Sequence, residues 1–179
     1  LGRSTKKNIN GEVTMNDPFQ DVDKAGLEFA ENTAKTMEIR QSEPIMEKIV
    51  HDYLTELEFV AEKPTIEIGC GPGAISRRIA KHASGTQVIG FDPSSNYIDI
   101  ARQGSSDLKN IEYQVFDGDR IPLIDGEAGN VIIHTVLSHV PDPIKPCPGC
   151  QHTHSQRRCR ATSHLGGAHQ IQGQNRGNV

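Results

Sequence analysis

The spacing of apolar residues divides the chain into three textures. Residues 1–20 are polar and turn-rich, with Asn8, Asn10, Gly11, Asn16, Asp17 and Pro18, and they predict a flexible leader. Between 23 and 40, Ala25, Leu27, Phe29, Ala30, Ala34 and Met37 recur as in a helix. The pattern is stronger over 43–60. There Ile45, Met46, Ile49, Val50, Tyr53, Leu54 and Leu57 wind onto one face, and Ser42 and Pro44 suit the helix start. From 65 the texture becomes an alternation, with strands expected at 65–68, 87–91, 111–116 and 131–136. Helices are expected at 74–82, with Ile75, Ile79 and Ala80 inward, and at 94–102, with Tyr97, Ile98 and Ala101 inward behind capping serines.

Strands that alternate with helices and are apolar on both faces predict a parallel sheet covered on both sides. The fold class expected is therefore α/β, a Rossmann-like doubly wound sheet preceded by N-terminal helices, with one domain over 21–145. Right-handed crossovers place the carboxyl ends of all its strands along one edge. Beyond residue 145 the texture changes again. Residues 146–179 contain no Asp or Glu, and apart from cysteines only five apolar residues. No helical or strand period is present, so an irregular, disordered tail is expected and the sheet is expected to stop at its fourth strand, incomplete on the C-terminal side. An open edge at that fourth strand would favour self-association or a partner chain.

Composition narrows the setting. A chain of 179 residues suits one core. A formal net charge of −4 gives no electrostatic reason to expect nucleic acid. No apolar run approaches the roughly 20 residues that span a bilayer, so no membrane is expected as a partner. The first 15 residues lack the apolar core of a secretory signal. These features lead to the expectation of a cytoplasmic protein whose four cysteines are thiols or ligands rather than disulfides. Cys147 and Cys150, followed by His152, His154 and Cys159, offer thiolates and imidazoles, but a second ligand pair at regular spacing is missing and no metal site is assigned.

The chemistry concentrates in the stretch IEIGCGPGAIS, residues 66–76. Where a strand turns sharply into a helix, glycine supplies positive φ and bare backbone against which a ligand can lie. Gly69, Gly71 and Gly73 fill that role, with Cys70 between them as a small space-filler. The helix that follows offers free N–H groups and a partial positive charge. The pattern reads G-x-G-x-G rather than the G-x-G-x-x-G of a dinucleotide fold, and Glu67 beside the turn suits a ligand with a cationic end better than a pyrophosphate. Asp92 closes the second strand, 19 residues beyond Gly73, where a carboxylate can take both ribose hydroxyls. Asp117 closes the third strand in FDGDRIP, placed to accept from an adenine amino group, with Gly118 leaving room for the ring.

On these motifs, residues 64–143 resemble a class I S-adenosylmethionine-dependent methyltransferase, closest to the small-molecule branch that includes the ubiquinone and menaquinone C-methyltransferases. IEIGCGPG is similar to that family's first motif, VIGFDPS, which contains Pro93, to its second, FDGDRIP to its third, and VIIHTVLSHVPDP to its fourth strand and following loop. The resemblance implies S-adenosylmethionine as cofactor and methyl transfer to a small-molecule acceptor, with a hydroxyl oxygen as one target. His134 and His139 fall at and after the fourth strand, on the cofactor side. His139 is the candidate catalytic residue, able to orient or deprotonate a hydroxyl. The chain departs from the family at Gly129 and Asn130, where a Phe-Asp pair is usual, and in lacking recognisable later strands. Two alternatives stand beside this reading, a truncated, inactive methyltransferase-like protein and a dinucleotide-binding oxidoreductase.

Overall fold

A computed structural model describes residues 5–7, 13–15, 19, 21–116, 127–134 and 159–162. At the N-terminus, β1 (Thr5–Lys7) and β2 (Val13–Met15) pair antiparallel within the stretch expected as a leader. Helix α1 (Val22–Ala25) is short, and α2 (Leu27–Gln41) follows after a break at Gly26, which holds φ at 93°. A single helix over 23–40 was expected, and this glycine divides it. Helix α3 (Pro44–Thr55) starts with Pro44 in its first turn and ends five residues earlier than its apolar pattern suggests.

The main sheet is parallel throughout. Its strands are β3 (Thr65–Ile68), β4 (Val88–Asp92), β5 (Ile111–Val115), β6 (Asn130–His134) and β7 (Cys159–Thr162), in the spatial order β5-β4-β3-β6-β7. The chain steps outward from β3 through β4 to β5, then returns to the other side of β3. The order therefore reverses at β3, the position where α/β sheets open a crevice at the carboxyl ends of their strands. Helices α4 (Ala74–His82) and α5 (Ser95–Gly104) provide the crossovers after β3 and β4.

Two corrections follow. First, β7 continues the sheet beyond β6 from within the segment that carried no periodic signal, so β6 lies inside the sheet and the open edge expected at the fourth strand is not there. A four-residue strand at an edge is held by its main-chain ladder, which leaves no mark in the side-chain pattern. Second, β5 is an edge strand rather than one apolar on both faces: Glu112, Gln114 and Val115 are exposed. The helices among the described residues lie on one face of the sheet. On that face Val50, Leu54, Ile75, Ile79, Ala80, Val88 and Ile132 form one cluster, and Cys70, Ile98, Ala101 and Tyr113 form another. On the opposite face, the cluster of Ile66, Ile68, Phe91, Phe116, Val131 and Ile133 has no helical member among the described residues.

Helix α3 buries Met46, Val50 and Leu54, while Ile45 and Ile49, expected on the same inward face, are exposed. In α4 and α5 the residues expected inward are the buried ones. An ion-pair network joins α2, α3 and α4. Arg78 grips Glu47 through Nε and Nη2 and reaches Glu38 at 3.1 Å, and Arg77 meets Glu38 at 2.5 Å.

Candidate functional site

The turn after β3 forms at the point where the strand order reverses. Its glycines are left-handed, with φ of 69° at Gly69, 52° at Gly71 and 80° at Gly73, a region that costs other residues strain. The Gly69 and Cys70 amides donate to the Phe91 carbonyl, at 2.7 and 3.0 Å, and the Gly73 amide closes a tight turn onto the Cys70 carbonyl. Helix α4 begins directly behind, with no side chain capping its first turn.

The glycines differ in role. A Cβ on Gly73 would lie 2.5 Å from the Tyr113 hydroxyl, so this glycine lets α4 approach the sheet. At Gly71 the nearest atom would be the Met37 sulfur at 4.0 Å, so here the bare backbone faces open space under α2. Gly90 belongs to the same arrangement, since a Cβ there would meet the Tyr113 ring at 2.7 Å. Register explains this: Tyr113 pairs with Gly90, Gly90 with Glu67, and Glu67 with Ile132, which puts the four in one row on the helical face.

Glu67 is 1% exposed, in the centre of that row, and accepts a short hydrogen bond from the Ser76 hydroxyl in the first turn of α4. Burial pushes its carboxyl up to about 8, Asp92 adds to the rise, and Ser76 and Arg77 oppose it. Asp92 is also buried. Its Oδ2 accepts from the Gly71 amide at 2.8 Å and its Oδ1 from the Ser94 amide at 2.9 Å, so it braces both the turn and the start of α5. Burial raises its carboxyl as well. A carboxylate has about four acceptor positions, and two remain beyond those amides. Pro93 is exposed at the rim. Cys70 is buried, and burial first, then the nearby carboxylates, hold its thiol well above the usual range, as suits a space-filler. His134 ends β6, is buried, and lies against Tyr53 with ring centroids 6.0 Å apart. Asp117, Gly118 and the candidate catalytic His139 lie outside the described residues.

The N-terminal helices close over this edge. The Asp23 carboxylate accepts from the Ser94 and Ser95 hydroxyls and from the Ser95 and Asn96 amides, capping α5 from another element. One turn of α2 sets Thr33 Oγ1 2.8 Å from the Tyr97 hydroxyl, and the next brings Met37 over Gly71. Sequence reasoning missed Asp23, Met37, Tyr53, Ser76 and Tyr113. Their roles come from contacts between distant segments, and no local spacing announces them. Val115, paired in register with Asp92, presents an exposed apolar side chain beside it. Among the described residues no group of three or more His, Cys, Asp or Glu could hold a metal, and no helix is long and apolar enough to cross a membrane.

Residues 66–147 match the family model described as a methyltransferase domain. A ubiquinone biosynthesis O-methyltransferase from Coxiella burnetii is 32% identical over 111 residues, which are 60% of this chain and 44% of the relative. A 37.1 kDa protein encoded in a Streptomyces fradiae transposon is 29% identical over 140 residues, 66% of this chain and 40% of its own length. The chain thus spans less than half the length of these curated relatives. In fold it is similar to an S-adenosyl-L-methionine-dependent methyltransferase structure from Methanococcus maripaludis, described as putative, with a TM-score of 0.59 at 21% identity, covering 73% of this chain and 62% of that one.

Proposed function

From the match of residues 66–147 to a methyltransferase-domain model, we propose that the chain is a class I S-adenosylmethionine-dependent methyltransferase, which binds S-adenosylmethionine in the turn after β3 and transfers its methyl group to a small-molecule acceptor. The observation that carries the reading is the left-handed glycine turn at the reversal of strand order, flanked by Glu67 and Asp92. The site residues fit such a ligand. Gly71 has open space where a side chain would stand, the start of α4 is uncapped, and a cationic ligand would favour ionisation of Glu67 and Asp92 where a phosphate would oppose it.

In this reading Glu67 and the turn face the amino-acid end, and Asp92 takes the ribose hydroxyls while keeping its two amide bonds. Asp117 and Gly118 receive the adenine, beside the apolar surface of Val115. Cys70, Pro93 and His134 line the surroundings. When bound, the cofactor would supply an electrophilic methyl group on a positively charged sulfur for an acceptor atom to take. The chain's share is alignment and exclusion of water by α1 and α2. His139 would orient an acceptor hydroxyl or take its proton. The O-methyltransferase relative supports a hydroxyl as acceptor, and a cytoplasmic setting goes with that reading.

Calorimetric titration with S-adenosylhomocysteine and with NAD tests the cofactor. The expected result is micromolar binding of the first and none of the second; the reverse would assign a dinucleotide enzyme. Transfer of radiolabelled methyl to a panel of hydroxylated small molecules tests the reaction.

A further inference from the structure

Among the described residues, four buried side-chain polar atoms have no hydrogen-bond partner: Gln41 Nε2, Tyr53 Oη, Thr65 Oγ1 and Asn130 Oδ1. Thr65 and Asn130 are register partners at the amino-terminal ends of β3 and β6, away from the glycine turn. Tyr53 is different. Its ring packs against His134, the last residue of β6, at the carboxyl edge where the turn opens. Leaving such a hydroxyl buried and unbonded costs about 1–3 kcal/mol, and a protein tolerates that at a place where a partner arrives.

Charge points the same way. After burial, the Glu67 carboxylate is the strongest influence on Tyr53, followed by Arg78, and burial with Glu67 raises the phenol far above its ordinary range. The hydroxyl therefore stays protonated and can both donate and accept. Glu67 holds one partner, Ser76, on the α4 side. A ligand group that brings an ammonium and a carboxylate into this corner would bond the Tyr53 hydroxyl and favour an ionised Glu67 in one step.

We propose that the Tyr53 hydroxyl, beside His134 at the carboxyl end of β6, is a binding group for the amino-acid end of the cofactor. The inference rests on the function proposed above and deepens it, because it places the two ends of the ligand. The nucleoside lies toward Asp92 and β5, and the amino acid lies toward β6 and α3. Tyr53 touches neither sugar nor base.

The experiment is the variant Tyr53→Phe, titrated with S-adenosylhomocysteine and separately with 5′-methylthioadenosine, which has the nucleoside and sulfur but no amino acid. The expected result is a Kd for S-adenosylhomocysteine raised about tenfold, as loss of one buried hydrogen bond implies, with the Kd for methylthioadenosine changed less than about twofold. Thermal unfolding of the ligand-free variant should be unchanged or slightly raised, since an unbonded hydroxyl is removed. Equal affinity of wild type and variant for S-adenosylhomocysteine overturns the inference alone, and so does equal weakening of both ligands. A folded wild type that binds neither ligand overturns the proposed function, and the inference with it.

Discussion

Glu67 is a carboxylic acid at the centre of a parallel sheet, with one hydroxyl for company and an ordinary carboxyl range left far behind. Its position has a measurable consequence for stability. The unfolded chain ionises this group near 4.5, whereas the folded protein keeps its proton up to about 8. Between those values the unfolded state binds fewer protons, so the ligand-free domain loses stability as pH rises, by up to about 4 kcal/mol from this group. Denaturant titrations between pH 5 and 8 should show the decline, and Glu67→Gln should remove most of it. A decline of equal size in the variant would locate the effect elsewhere. The place of Glu67 beside the turn was legible in the sequence. Its burial under α4 was not, because the serine that holds it is nine positions away and reaches it only once strand and helix have packed.

At the scale of elements, legibility followed amphipathic strength. Helix α4 was read to its ends because its apolar residues fall on one narrow stripe between a glycine turn and a chain of basic residues. Helix α2 was read too early and too long, because Gly26 breaks it with a backbone that only its φ reveals. Helix α3 has apolar residues over more than half its circumference, so the pattern gave no sign that Ile45 and Ile49 would stay outside. The tie between α1 and α5 was invisible for another reason: Asp23 and Ser94 stand 71 positions apart. Replacing Asp23 with Ala should cost about 1–2 kcal/mol, as loss of a helix cap does, and should speed amide exchange at Ser95 and Asn96. Unchanged exchange at those two amides would show that α5 caps itself through Ser94, whose hydroxyl already accepts from Tyr97.

For the whole molecule, the parallel sheet was legible in the alternation of strands and helices, whereas the reversal of strand order at β3 was not read, because spatial order is set by crossovers between distant segments. The fifth strand does not stand out. Its pairing with β6 is a matter of main-chain groups, and the surrounding composition pointed to an irregular tail. A chain ending at Lys145 would lack β7 and leave the outer ladder of β6 unpaired. Light scattering coupled to size-exclusion chromatography should then show more self-association, rising with concentration, than in the full chain. A shortened chain that elutes like the full one would show that β7 does not guard this edge.

One aromatic ring ties together three places in the chain. Tyr113 fills the room left by Gly73 on one side and Gly90 on the other, so neither glycine can gain a side chain while the tyrosine stays. The three positions form a single unit of inheritance. In lineages related to this chain, a bulkier residue at 90 should be accompanied by a smaller one at 113, while 73 stays glycine because its left-handed backbone admits little else.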